Sequence, residues 1–119
     1  MTQIDKGADM LGTDRLGTVL QRLYEVIESR KDADPKSSYT ASLLAKGPAR
    51  CAKKFGEEAV EAVIAGTTSD KAELTAEAAD TLYHLLVLMA SVGVTPNEVA
   101  QTLADREGIS GHDEKAGRE

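Results

Sequence analysis

The sequence predicts an all-α fold, a bundle of four to five helices in a single domain over residues 1–119. Apolar residues make up 41% of the chain and are rich in alanine, leucine and valine, which favour helices. Aromatic residues make up only 3%, so the aromatic and β-branched clusters typical of strands are few. In several segments the apolar residues recur at the alternating three-and-four spacing of an amphipathic helix. One domain is also what a chain of this length usually forms.

The first helix is expected from about residue 13 to residue 30. Its apolar face is formed by Leu16, Val19, Leu20, Leu23, Val26 and Ile27. Residues 31–38 are polar and include Pro35, so they predict a surface loop. A short helix is expected over residues 39–46, before Gly47 and Pro48.

Two long helices follow. The first is expected over residues 48–65, with Pro48 at its first position and Gly66 as its C-terminal cap. The next is expected over residues 70–92, with Ser69 or Asp70 as N-cap and Gly93 at its end. We expect it to bury Leu74, Ala78, Leu82, Leu85 and Met89.

The last helix has the clearest start. Thr95 is the expected N-cap, Pro96 is at the first position and Glu98 at the third, which together form a capping box. The helix is expected to run to about residue 106. We expect residues 1–12 and 107–119 to be tails that are mobile or docked on a partner.

Composition excludes several classes of function. The net charge of −6 disfavours binding to a nucleic-acid backbone, and the chain has no tryptophan and few other rings on which successive bases could stack. The longest apolar run, residues 85–90, is far short of the roughly 20 residues that a membrane span needs. Cys51 is the only cysteine, which excludes an intrachain disulfide and fits a reducing compartment. We therefore expect a cytoplasmic protein that binds neither nucleic acid nor membranes.

Acidic residues form a stripe on each long helix. On the first, Glu57 and Glu61 lie about 40° apart on the helical wheel and Glu58 about 100° from Glu57. On the second, one polar stripe contains Glu73, Glu77, Asp80 and His84. Each helix therefore presents several carboxylates on one side.

An antiparallel hairpin centred near Thr68 would bring the two stripes together. It places Glu77 and Asp80 within about one turn of Glu58 and Glu61. Carboxylates so close repel one another unless cations neutralise them, and ligands that are all oxygen suit Mg²⁺ or Mn²⁺ better than zinc.

A second interpretation of these acids is a solvated helix face, with Lys54 paired to Glu58 and Lys53 to Glu57. Spacing alone does not decide between the two. The pattern Glu-Glu-x-x-Glu, followed by Glu-x-x-Asp in which Glu77 comes 16 positions after Glu61, favours the metal site. A di-iron bundle would need two Glu-x-x-His motifs, and the sequence does not contain them.

Three cationic residues precede the acids on the same helix, namely Arg50, Lys53 and Lys54. A basic patch beside an acidic metal site is the arrangement expected for a polyphosphate, whose oxygens would contact both. Ion pairing with neighbouring helices is the alternative. Cys51 lies beside this patch and is expected to be a small buried residue rather than a nucleophile.

Three segments resemble a known family. They are SYTASLLAKGPARCAKKFGEEAVEAVIAG, AELTAEAADTLYHLLVLM and SGHDEKAGR, and with the acidic motif they resemble the phosphoribosyl-ATP pyrophosphohydrolases of histidine biosynthesis. This family is part of an all-α nucleotide pyrophosphohydrolase superfamily that includes the MazG-type enzymes. The resemblance spans about residues 16–118. Cys51 departs from it, because related sequences often have an aliphatic residue there.

The resemblance implies Mg²⁺-dependent hydrolysis of phosphoribosyl-ATP to phosphoribosyl-AMP and pyrophosphate, the second step of L-histidine biosynthesis. It implies that Glu58, Glu61, Glu77 and Asp80 hold the metal. Glu57 would be a further ligand or would orient the attacking water, and the phosphates would contact Arg50, Lys53 and Lys54.

The resemblance also implies a homodimer with its active sites near the interface. Four amphipathic helices in so short a chain would leave apolar surface exposed, which points the same way. Two other functions stay open: a nucleoside triphosphate pyrophosphatase of the same superfamily that removes unwanted nucleotides, and a metal-free helical interaction module.

Overall fold

The computed structural model describes residues 15–108, and this part of the chain is all-α, as the sequence predicts. It contains the helices α1 (Arg15–Ser29), α2 (Tyr39–Lys46), α3 (Pro48–Thr67), α4 (Lys71–Val92) and α5 (Pro96–Asp105). All five predicted helices are present, with bounds within two residues of those predicted wherever the residues are described.

The long helices α3 and α4 fold back on each other across the three residues 68–70. Helix α1 packs on α4, α2 packs on both long helices, and α5 returns to contact α1. The α3–α4 hairpin is thus the centre of the molecule, with α1 and α2 covering one part of it.

The hydrophobic core lies where α1 and α2 meet the long helices. It is formed by Tyr24, Ile27, Leu43, Cys51, Leu86, Val87, Met89 and Ala90. The Tyr24 hydroxyl donates a hydrogen bond of 2.8 Å to the carbonyl of Val94, which ties α1 to the segment after α4.

The buried face of α4 differs in part from the prediction. Leu74 was expected to be buried and is 39% exposed, and Ala78, Leu82 and Leu85 are only half-buried. All the fully buried residues of α4 lie between His84 and Ala90. The reason is that the core closed by α1 and α2 reaches only the C-terminal half of α4, whereas its N-terminal half packs mainly on α3.

The turn between α3 and α4 also differs. Gly66 was expected to end α3, but the helix continues to Thr67 and Thr68 is its C-cap. The left-handed residue that reverses the chain is Ser69, with φ of 58°. A glycine is not needed at position 66, because the hydroxyls of Thr67 and Thr68 donate to the carbonyls of Ile64 and Ala65, which also accept from the N–H groups of Thr68 and Asp70.

The other predicted caps are confirmed. Asp70 accepts a 3.0 Å hydrogen bond from the N–H of Glu73, and Gly93 ends α4 in the left-handed region with φ of 81°. Thr95 and Glu98 form the capping box of α5. The two predicted tails lie outside the described residues except for 107 and 108, which follow α5 as a turn.

Within residues 15–108, no single helix is both long enough and apolar enough to cross a membrane. Helices α4 and α5 reach that length and apolarity only when taken together across a bend of 106°.

Candidate active site

Three carboxylates from the two long helices converge. One oxygen each of Glu58, Glu77 and Asp80 can be chosen so that all three lie within 4.8 Å of one another. Glu77 and Asp80 share a face of α4 because they are three residues apart, and the hairpin places Glu58 of α3 opposite them. We call these three residues the acidic cluster. Glu58 and Glu77 are half-buried, while Asp80 is exposed.

The hydroxyl of Thr81 joins the main chains on both sides of the acidic cluster. It donates to the carbonyl of Glu77, 2.7 Å away on its own helix, and lies 3.1 Å from the carbonyl of Glu58 on α3. This fixes the spacing of the two helices at the level of the cluster. Sequence reasoning missed Thr81, because a threonine next to an acidic motif is too common to be a signal.

The acids repel one another in this arrangement. The pKa of Glu77 is raised, first because partial burial disfavours its charged form and then because Asp80, Glu58, Glu61 and Glu73 carry like charges nearby. Glu61 therefore acts on the cluster electrostatically although its carboxylate is not one of the three converging groups. A cation would relieve this repulsion, and an all-carboxylate set of ligands fits a hard divalent cation such as Mg²⁺.

Glu57 faces Lys54 rather than the acidic cluster. Its carboxylate lies 3.2 Å from the ammonium of Lys54, three residues earlier on α3. Helical spacing suggested that Lys54 pairs with Glu58 and Lys53 with Glu57. The structure instead pairs Lys54 with Glu57. The pKa of Lys54 is raised, chiefly by its hydrogen bond with Glu57 and further by Tyr39 and Glu58, so Lys54 stays protonated. Arg50 and Lys53 are exposed on the same helix.

His84 connects the acidic cluster to α2. Its Nδ1 lies 2.9 Å from the carbonyl of Asp80, and its Nε2 lies 3.2 Å from the hydroxyl of Tyr39. Because a carbonyl only accepts, Nδ1 carries a proton, and in the neutral imidazole Nε2 then accepts from the hydroxyl of Tyr39. His84 is buried, with 8% of its surface exposed, so both of its nitrogens are satisfied within the fold. Sequence reasoning put His84 on the polar stripe and gave Tyr39 no role, since no local pattern indicates a contact between residues so distant in the chain.

Cys51 is a core residue, as the sequence predicts. It is 1% exposed and its thiol donates to the carbonyl of Leu43 at 3.3 Å. Burial raises the pKa of the thiol, so the thiolate needed for nucleophilic attack is disfavoured.

A sequence model of phosphoribosyl-ATP pyrophosphohydrolases matches residues 20–107. This range includes both long helices and every residue of the acidic cluster. The chain belongs to the phosphoribosyl-ATP pyrophosphohydrolase family. The resemblance found in the sequence is therefore confirmed, and the family identifies the chain as a hydrolase.

Curated relatives of this pyrophosphohydrolase match along almost their whole length. The phosphoribosyl-ATP pyrophosphatase of Cereibacter sphaeroides (strain ATCC 17029) is 61% identical over 101 residues, which are 85% of this chain and 98% of the relative. The phosphoribosyl-ATP pyrophosphatase of Paracoccus denitrificans is 59% identical and covers 85% of this chain and 94% of its own length. The phosphoribosyl-ATP pyrophosphatase of Jannaschia sp. (strain CCS1) is 55% identical, and the match covers 85% of this chain and 99% of the relative.

Proposed function

We propose that this pyrophosphohydrolase cleaves phosphoribosyl-ATP into phosphoribosyl-AMP and pyrophosphate, the second step of L-histidine biosynthesis, at the acidic cluster. One observation carries the proposal: three carboxylates from two helices converge within 4.8 Å in a chain 61% identical to a phosphoribosyl-ATP pyrophosphatase. The cationic side chains of α3 that precede the cluster along the helix support a polyphosphate substrate.

Glu58, Glu77 and Asp80 hold Mg²⁺, for which Mn²⁺ can substitute, and Glu61 adds negative charge from the flank. The pKa of Glu77 is raised first by partial burial and then by the like charges around it, and those like charges support this assignment because a cation would neutralise them. When bound, Mg²⁺ supplies a positive charge that stabilises the charge developing on the phosphate oxygens.

The other charged residues of α3 bind the substrate and orient water. Arg50, Lys53 and Lys54 contact the phosphates. Glu57 orients the water that attacks the phosphoanhydride between the α and β phosphorus atoms, and its contact with Lys54 holds its carboxylate among the proposed phosphate ligands of α3. Because the attack is by water, no covalent nucleophile is required, and positioning and electrostatics account for most of the acceleration.

Substrate preference tests this function. Pyrophosphate release should be faster from phosphoribosyl-ATP than from ATP, GTP, CTP, UTP or their deoxy forms at equal concentration. Equal or faster turnover of the ordinary triphosphates would instead support a pyrophosphatase that removes unwanted nucleotides. Failure of every substrate to release pyrophosphate, together with failure of Mg²⁺ to bind, would contradict the proposed activity and favour a helical interaction module.

The metal site is tested by calorimetric titration with Mg²⁺. We expect Glu58→Gln to weaken binding by about tenfold or more, because it removes a charged ligand, and Glu61→Gln to weaken it less. Glu25→Gln is the matched control, since Glu25 is an exposed acid of α1 whose side chain accepts a hydrogen bond from Gln21. Identical titrations of the Glu58 and Glu25 variants would contradict the assignment.

The chain also forms a homodimer through α3. Val60, Val63 and Ile64 lie at helical spacing on one face of α3 and are 57%, 63% and 53% exposed. An apolar stripe of this kind marks an interaction surface, and a second copy would cover it. Light scattering should give the mass of two chains, and Val63→Glu should reduce it to one. A wild-type mass of one chain would contradict the dimer.

The substrate is a small molecule of the cytoplasm, and neither nucleic acid nor a membrane is a partner. The buried free thiol of Cys51, the only cysteine, supports a reducing compartment. The net charge of −6 opposes binding to nucleic acid and to anionic lipids. Retention of the chain on either DNA or anionic vesicles at physiological salt would contradict this.

A further inference from the structure

Tyr39 is the only exposed aromatic residue of the chain. The chain contains three tyrosines, one phenylalanine and no tryptophan, and all four of these rings lie in the described part. Tyr24 is 5% exposed, and Phe55 and Tyr83 are half-buried, whereas Tyr39 is 55% exposed. Among the tyrosine and phenylalanine rings of one chain, Tyr39 therefore offers the most accessible surface for a planar ligand.

The ring of Tyr39 is exposed and yet held in place. Its hydroxyl donates to Nε2 of the buried His84 at 3.2 Å, and its ring lies 6.4 Å from that of Tyr83 with an interplanar angle of 23°. Its backbone begins α2, where the Ser38 side chain caps the helix by accepting from the N–H of Ala41 at 3.1 Å. A ring held in this way loses little conformational entropy when a ligand binds, which is what a preorganised contact needs.

The position of Tyr39 relates it to the active site. A single imidazole ring, that of His84, separates the Tyr39 hydroxyl from the carbonyl of Asp80 in the acidic cluster. Tyr39 also lies near enough to Lys54 to contribute to the raised pKa of the Lys54 ammonium group. Tyr39 is thus linked through His84 to the main chain of Asp80 and lies near Lys54, a proposed phosphate ligand.

We propose that the exposed ring of Tyr39 is the surface on which the adenine base of the substrate stacks. This role rests on the proposed function, because it takes the nucleotide to be phosphoribosyl-ATP with its phosphates near Lys54 and the acidic cluster. Purine bases stack readily on tyrosine rings, and such a contact changes affinity by roughly fivefold to 150-fold. Tyr39 would then favour nucleotides over simple polyphosphates.

Two substitutions separate the ring from its hydroxyl. Tyr39→Phe and Tyr39→Leu both remove the hydrogen bond to His84, and they differ only in that phenylalanine keeps an aromatic face. Tyr83→Phe is the control for disturbance of α2, because it removes the hydroxyl contact between Tyr83 and Thr40 while leaving Tyr39 intact. The two Tyr39 variants should fold because Tyr39 is more than half exposed, and Tyr83→Phe should fold because it keeps the ring and removes only a hydroxyl; circular dichroism can check all three.

The probes are AMP and ribose 5-phosphate, which has a hydroxyl group at C1 where AMP has the adenine base. Calorimetry should show that the wild type binds AMP more tightly than ribose 5-phosphate by about tenfold or more. The preference should persist in Tyr39→Phe and Tyr83→Phe and disappear in Tyr39→Leu. In hydrolysis of phosphoribosyl-ATP, Tyr39→Leu should raise KM about tenfold and leave kcat within about threefold.

Equal preference for AMP in the phenylalanine and leucine variants of Tyr39 would overturn the stacking role. So would an equal loss of affinity for both probes in Tyr39→Leu, because the ring would then support the site as a whole rather than contact the base. Failure of the wild type to release pyrophosphate from phosphoribosyl-ATP would overturn the proposed function instead. The two failures are therefore distinguishable.

A spectroscopic variant gives an independent readout. The chain has no tryptophan, so Tyr39→Trp introduces a single fluorescent indole at the proposed surface. AMP should quench this fluorescence at concentrations at which ribose 5-phosphate does not. Equal responses to the two probes would contradict contact with the base.

Discussion

The hydrogen bond of Thr81 across the α3–α4 hairpin gives a prediction of defined size. Thr81→Val removes the hydroxyl that lies 2.7 Å from the carbonyl of Glu77 and 3.1 Å from that of Glu58, and valine keeps the shape of the side chain. A net intramolecular hydrogen bond contributes about 0.5–1.5 kcal/mol, and both carbonyls stand within helices that already satisfy them. We therefore expect the free energy of unfolding to fall by about 1 kcal/mol, equivalent to a drop in Tm of roughly 4 °C for a chain of this size.

Thermal unfolding followed by circular dichroism measures this change. Thr75→Val is the matched control, because Thr75 is an exposed residue of the same helix whose hydroxyl bonds only to the carbonyl of Lys71, 2.8 Å away. Thr75→Val should lower the free energy of unfolding by less than about 0.5 kcal/mol. If the two variants lose the same stability, the contact of Thr81 with α3 contributes nothing, and the argument that it sets the spacing of the acidic cluster fails.

Three further predictions concern charge, backbone and thiol chemistry. Without divalent cations, Glu77→Gln should be as stable as the wild type at a pH below the normal carboxyl pKa and more stable than the wild type at pH 7, because a pKa raised in the folded state means that the wild type loses stability as Glu77 ionises. Added Mg²⁺ should make the wild type the more stable of the two at pH 7. Urea unfolding at several pH values, with and without Mg²⁺, measures both effects. Gly93→Ala should lower the free energy of unfolding by about 1 kcal/mol, because the backbone of Gly93 has a φ of 81°, which alanine rarely adopts. Gly66→Ala should raise it by about 0.5 kcal/mol, because Gly66 is helical and has free space around it. Thermal unfolding measures both changes. The thiol of Cys51 should react with Ellman's reagent at least about a hundredfold more slowly in the native protein than in urea, because Cys51 is buried. A fast reaction in the native protein would contradict this burial. Cys51→Ala should hydrolyse the substrate as the wild type does, because Cys51 is not a nucleophile.

Local sequence patterns predicted most of the fold. The capping box at Thr95 and the glycine at position 93 mark helix ends through contacts within a few residues, so they can be recognised without a tertiary structure. The convergence of Glu58 with Glu77 and Asp80 could be predicted for a similar reason, since a short turn forces consecutive helices to lie side by side.

Features that depend on distant contacts could not be predicted in this way. The exposure of Leu74 depends on how far α1 and α2 reach along α4, and hydrophobic spacing on one helix carries no information on that. The contact of Tyr39 with His84 joins residues 45 positions apart. Glu57 is oriented toward Lys54 rather than toward the acidic cluster. Helical spacing allows both orientations, so the rotamer of Glu57 could not be predicted from the sequence.

The dependence of phosphoribosyl-ATP hydrolysis on Mg²⁺, compared between the wild type and Asp80→Asn, tests the central claim most directly. Pyrophosphate release by the wild type should be negligible in EDTA and should rise to saturation with added Mg²⁺. Asp80→Asn removes one of the three converging carboxylates, so its rate at saturating Mg²⁺ should fall by about a hundredfold or more. Full activity of the wild type in EDTA, or of Asp80→Asn in Mg²⁺, would contradict an acidic cluster that holds the catalytic metal.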